Sequence, residues 1–81
     1  MRDRDLHGRQ LRALREQAGL RADQLANLVG CEKSYLANIE KGPDQPSAVL
    51  AYRFARALSE KLGRTVDINE FTTLKPEQGA A

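Results

Sequence analysis

Gln24-Leu25-Ala26-Asn27-Leu28-Val29-Gly30-Cys31-Glu32-Lys33-Ser34-Tyr35-Leu36-Ala37-Asn38-Ile39-Glu40-Lys41-Gly42 is the stretch that decides the fold. Its apolar residues recur at helical spacing on both sides of Gly30. The pattern predicts two short helices folded against each other across a tight turn. Ala26 stands one helical turn before Gly30, where two helix backbones must approach and a larger side chain would wedge them apart. A glycine at position 30 supplies the positive φ that turns the chain at little steric cost. Leu36 and Ile39 then point back at Leu25, Leu28 and Val29. A small residue, a glycine four later and two aliphatics three apart on the next helix make a helix-turn-helix unit.

Working outward, the first helix is expected over about Leu6–Ala18, with Leu11, Leu14 and Ala18 as its apolar stripe and Gly19 as its stop. Gly8 weakens its first turns, which moves the start toward Arg9 or later. The second helix is expected over Ala22–Val29, with Leu25, Ala26, Leu28 and Val29 turned inward and Asp23 in the first turn, favourable for the helix dipole. The third runs over Lys33–Lys41 and stops at Gly42. Two prolines and a glycine make Gly42-Pro43-Asp44-Gln45-Pro46 a loop. Ser47 is a good N-cap for a fourth helix over Ala48–Leu62, whose broad face holds Leu50, Ala51, Phe54, Ala55, Leu58 and Leu62. Asp67 and Glu70 suit the cap of one short helical turn at about Ile68–Phe71, followed by an extended piece. Thr65, Val66, Ile68 and Phe71–Thr73 also suit a strand. The expected organisation is one domain over residues 1–74 and a disordered tail over 75–81.

The composition narrows the class. The 81 residues are enough for one modest core, and 41% hydrophobic with 5% aromatic makes that core aliphatic. No run approaches the ~18 apolar residues of a membrane span. Met1-Arg2-Asp3-Arg4-Asp5 is charged and leads into no apolar region, so no signal peptide is expected. Cys31 is the single cysteine, which fits a reducing cytoplasm and reads as a space-filler under the turn. His7 is the single histidine, and no Cys or His partner stands at ligand spacing. No glycine-rich phosphate loop and no nucleophile paired with a base is present. The expectation is a protein without enzymatic activity, metal, cofactor or small-molecule ligand.

The net charge of +2 is uneven. Residues 1–21 carry six arginines against Asp3, Asp5 and Glu16; residues 22–47 carry Lys33 and Lys41 against Asp23, Glu32, Glu40 and Asp44. Base-reading residues flanked by phosphate-binding arginines have such a pattern. A balance this mild is also ordinary for a small helical domain.

Leu11-Arg12-Ala13-Leu14-Arg15, Gly19-Leu20, Leu25-Ala26, Val29-Gly30, Ser34-Tyr35-Leu36, Ile39-Glu40-Lys41-Gly42, Pro46-Ser47 and Leu58…Leu62-Gly63 together resemble the phage Cro/repressor-type, or XRE-like (lambda-repressor-like), helix-turn-helix family. The resemblance covers Leu11–Gly63, about two-thirds of the chain. It implies an all-α, compact bundle of about five short helices. It also implies double-stranded DNA binding in transcription regulation, usually as a homodimer on a palindromic operator. Two positions depart from the family pattern. Arg21-Ala22 stands where Thr-Gln commonly begins helix two, and Glu32 stands where Ser or Thr commonly precedes helix three.

Within that motif, Lys33, Ser34 and Asn38 lie opposite Leu36 and Ile39 and are the base-reading candidates. Lys can donate to guanine O6/N7, Asn pairs bidentately with adenine, and Ser suits base or phosphate. Glu32, as an acceptor for cytosine N4, and Ala37, against a thymine methyl, are lesser candidates. Phosphate candidates are Arg9, Arg12, Arg21, Lys41, the Gly42 amide and the Tyr35 hydroxyl. Solvated helix faces are the plain alternative for the arginines, and packing against helix two for Tyr35. Val66, Ile68, Phe71 and Leu74 offer more apolar surface than a short tail needs and are the expected dimerisation surface. Two other functions suit the same fold. One is an antitoxin that contacts a toxin through Phe71–Leu74; the other is a protein-interaction module that has lost DNA binding.

Overall fold

The computed structural model describes residues 3–75. The elements are β1 (Arg4–Leu6), α1 (Gly8–Gln17), α2 (Ala22–Val29), α3 (Lys33–Lys41), α4 (Ala48–Leu62), a 3-10 turn (Ile68–Glu70) and β2 (Thr72–Leu74). The all-α helix-turn-helix class holds, with four α-helices rather than about five. The expected fifth helix is a single 3-10 turn, and the extended piece after it is β2. Among the described residues no helix is long and apolar enough to cross a membrane.

The N-terminus departs from expectation. Leu6 does not begin a helix; it ends β1, which lies antiparallel to β2 with Leu6 opposite Thr72 and Arg4 opposite Leu74. Leu6 is buried, its amide donates to Gln45 Oε1 at 2.8 Å, and its carbonyl accepts from Gln45 Nε2 at 3.1 Å. Gln45 thereby closes the free edge of β1 as a neighbouring peptide group would. The His7 amide donates to the Phe71 carbonyl at 2.8 Å, and α1 starts one residue later. Lys75, assigned above to the tail, continues the ladder by donating its amide to Asp3 at 2.8 Å. Residues 76–81, the rest of that expected tail, lie outside the described residues.

One apolar core joins β1, the four helices and the 3-10 turn. Leu11, Leu25, Leu36, Ile39, Ala51, Phe54, Leu58 and Phe71 are each 0% exposed. Each large side chain among them contributes roughly 1.5–3 kcal/mol of transfer free energy. Ser47 caps α4 as expected, its hydroxyl accepting from the Leu50 amide at 3.2 Å. Leu28 corrects the reading of α2. It is 49% exposed, because the buried stripe runs through Leu25, Ala26 and Val29 and leaves position 28 at its edge.

Candidate nucleic-acid interface

The turn between α2 and α3 fixes how the second helix is presented. Gly30 has φ +77°. Its amide donates to Asn27 O at 3.3 Å, and the Cys31 amide donates to Ala26 O at 3.0 Å. Those two bonds form the Schellman arrangement that satisfies the last carbonyls of α2. Ala26 is 2% exposed at the crossing. Leu36 and Ile39 are fully buried against the core, which turns the other face of α3 outward.

That outward face carries Lys33, Ser34, Asn38 and Lys41, all exposed. None of these four side chains forms a hydrogen bond or ion pair among the described residues. Glu32 is exposed at the N-cap position, and its side chain makes no capping bond. Ala37 is half-buried.

The phosphate candidates divide. Arg9 and Lys41 are exposed and have no acidic partner among the described residues. Arg12 pairs with Glu16 at 3.3 Å, and Arg21 with Asp23 at 3.1 Å. The Arg21 guanidinium holds the Asp23 carboxyl below its ordinary value by hydrogen bonding to it. Gln24 Oε1 accepts from the Arg21 amide at 2.8 Å, which is one half of a capping box; the guanidinium of Arg21 has no acceptor for the other half, so the cap that the family's Thr supplies is not replaced. Two candidates are already engaged. The Gly42 amide donates to Asn38 O at 3.0 Å, so it is committed to closing α3. Tyr35 is half-buried, and its hydroxyl donates to the Gln45 carbonyl at 3.3 Å, which favours packing over a phosphate contact.

Beneath this surface lies a pair that sequence reasoning missed. Arg15 Nε donates to Glu40 Oε2 at 2.8 Å and Arg15 Nη2 to Glu40 Oε1 at 3.1 Å; Arg15 Nη1 donates to the Leu20 carbonyl at 2.9 Å. The two side chains are only 12% and 8% exposed. The bidentate bond to Glu40 raises the Arg15 pKa further. The pair ties α1 to α3, and no local signal marks partners 25 positions apart. A groove of about 360 Å³ opens over it, lined also by Arg9, Arg12, Ala22, Ala37 and Lys41. The groove places the cations of α1 beside α3.

The groups expected at a dimer surface are mostly used within the chain. Val66, Ile68 and Phe71 are 4%, 6% and 0% exposed, because the return of the chain over α4 makes them its lid; Leu74 alone is exposed, at 65%. Phe71 and Thr72 of the expected toxin contact are likewise buried. Cys31 is half-buried, packs against the core edge, and burial pushes its thiol pKa up, away from reactivity. His7 Nε2 lies 2.8 Å from Thr73 Oγ1, bridging α1 to β2.

These elements define a helix-turn-helix protein with an exposed polar face on its second motif helix. A family model described as a helix-turn-helix domain matches residues 7–66. An uncharacterized HTH-type transcriptional regulator from Methanothermobacter thermautotrophicus is 39% identical over 51 residues, covering 63% of this chain and 74% of that protein. The crystal structure of the restriction-modification controller protein C.AhdI from Aeromonas hydrophila superposes with a TM-score of 0.67 at 33% identity, over 78% of this chain and 86% of that one. The chain belongs to the XRE/Cro-type helix-turn-helix family of DNA-binding regulators.

Proposed function

We propose that this protein is a sequence-specific transcription regulator that binds a palindromic operator as a homodimer. Helix α3 of each copy enters the major groove of one half-site. Two copies on half-sites about one helical turn (~34 Å) apart give the address length that one short helix lacks. Lys33 reads guanine, Asn38 reads adenine, Ser34 contacts base or phosphate, and Glu32 and Ala37 contact the flanking bases. Arg9 and Lys41 bind phosphates beside the groove. Arg12 and Arg21 join them by exchanging their exposed ion pairs, which solvent screens.

The observation that carries this reading is the face of α3. Four polar side chains there are exposed and form no hydrogen bond or ion pair among the described residues, and behind them Leu36 and Ile39 are wholly buried. The dimer surface we assign to the exposed apolar groups Val49, Tyr52 and Leu74, in place of the residues buried in the core. Occupancy of the operator would act by excluding polymerase.

Binding-site selection from random duplex DNA, followed by gel shifts across salt, tests the proposal. The expected result is a two-fold symmetric consensus and an affinity that falls steeply with salt. No enriched sequence, or a salt-insensitive interaction, would refute it.

A further inference from the structure

Among the described residues, cations outside any ion pair occur in two separate places. Arg4 is held by Asn69 and Thr72. Of the rest, Arg9, Lys33 and Lys41 belong to the α1–α3 surface, whereas Arg53, Arg56 and Lys61 lie on α4, with no ion pair among the described residues. Beside this second set stands Leu28 of α2, a large aliphatic that is half in solvent. Asn27 and Leu28 form a ridge between two grooves. One, of about 430 Å³, is lined by Arg53, Arg56, Ala57 and Glu60. The other, of about 340 Å³, is lined by Leu20, Gln24 and Lys61.

We infer that this α2–α4 face docks an acidic amphipathic helix of a partner protein. Its apolar side chains rest on Leu28 and Leu20, and its carboxylates reach Arg53, Arg56 and Lys61. A helix laid in an apolar groove with a complementary charged rim is a recurrent recognition mode. Complementary charge at the rim sets orientation and association rate. Duplex DNA fits this face less well. Leu28 puts an aliphatic group, and Glu60 a carboxylate, where a phosphate backbone would run. Arg53 also has a structural duty, its Nη1 donating to the Val29 carbonyl at 3.4 Å. Arg56 and Lys61 make no such bond among the described residues, so they are the residues to vary.

The probe is a synthetic helix with Leu and Phe on one face and Glu along both flanks, titrated into the isotopically labelled full chain. A second helix with every Glu replaced by Lys is the control. The expected result is amide shifts centred on Asn27, Leu28 and Ala57 for the acidic helix. Affinity should drop several-fold in the neutral variant Arg56→Gln/Lys61→Gln. It should drop comparably in Leu28→Ser, and both variants should keep wild-type duplex affinity. The inference fails if the Lys helix binds as well, if the shifts map elsewhere, or if nothing binds. It fails equally if Arg56→Gln/Lys61→Gln weakens binding to every duplex as strongly as Lys41→Ala does, since the face would then serve the DNA backbone. Loss of the selected operator in wild-type protein would overturn the DNA reading and leave this one standing.

Discussion

The backbone of Gly8 lies directly against the carbonyl groups that end α3. A Cβ at position 8 would come within 2.6 Å of the Ile39 oxygen and closer still to the carbonyl oxygen of Glu40. The start of α1 and the end of α3 therefore touch main chain to main chain, and neither side can yield without moving a helix. In an isolated helix, Gly→Ala stabilises by about 1 kcal/mol. Here Gly8→Ala is expected to destabilise by ~1–3 kcal/mol or more through overpacking. Denaturant midpoints check this; an alanine variant as stable as the parent would mean the contact is not made.

Arg15 and Glu40 join the same two helices from their side chains. Removing one partner strands a buried charge. Arg15→Met or Glu40→Leu alone is expected to cost ~3–5 kcal/mol, while the double variant Arg15→Met/Glu40→Leu recovers most of that loss. Thermal melts of the three variants measure the coupling. Additive losses would show that the bidentate pair is not what the fold depends on.

What sequence reasoning reached and missed follows the range of the interactions. The bounds of α2, α3 and α4 came from local periodicity, and the Ser47 cap from a local preference. The sheet did not, because Arg4 pairs with Leu74 across almost the whole chain and neither strand has three apolar residues. Gly8 read locally as a weak helix former, whereas its reason is a close approach to α3. Val66, Ile68 and Phe71 read as surplus apolar surface, because the return path of the chain over the core is a tertiary fact. On the candidate interface, Lys33, Ser34 and Asn38 follow from helix phase alone. The engagement of the Gly42 amide and the Tyr35 hydroxyl does not, since each depends on the path of the following loop.

The two kinds of DNA contact should separate by mutation. Asn38→Ala is expected to cost ~1–3 kcal/mol on the selected operator and to relax preference at one base pair. Lys41→Ala should weaken all sequences alike and reduce the salt slope by about one. Gel shifts on the consensus and on single-base variants distinguish them. A uniform loss for Asn38→Ala would reassign it to the backbone.

Glu70 gives the C-terminal turn a pH dependence. Arg64 donates to both of its carboxylate oxygens at 3.0 Å, and the Asp67 amide donates to Oε2 at 3.1 Å. These bonds hold the Glu70 carboxyl below its ordinary value, with the Arg64 hydrogen bond the larger cause. A folded-state pKa below the unfolded one means the contribution is full above the unfolded carboxylate value. It disappears as pH falls through the folded value. Glu70→Gln should therefore flatten the acid side of the stability curve and leave the neutral-to-basic side parallel to the parent. Urea midpoints across that range test it; an unchanged acid limb would remove Glu70 from the account.

The last prediction concerns how a dimer could be lost without losing the fold. Cutting the chain after Gly63 removes Val66, Ile68 and Phe71, all buried in the core, together with β2 and its pairing to β1. Emptying the site of a single core phenylalanine already costs ~3–5 kcal/mol. A small domain's whole stability is only ~5–15 kcal/mol. The truncated chain is expected to be largely unfolded, so it says nothing about assembly. Exposed positions do. Tyr52 is 59% exposed and Val49 62% exposed, one helical turn apart on α4. Val49→Glu/Tyr52→Glu should leave the melting temperature close to the parent's, because neither side chain fills the core. It should convert cooperative binding of a palindrome into weaker, independent occupancy of its half-sites. Sedimentation and gel shifts on full and half operators read the outcome. If the variant still binds the palindrome as a cooperative pair, the two copies meet elsewhere, and Leu74 at the end of β2 becomes the next position to reverse.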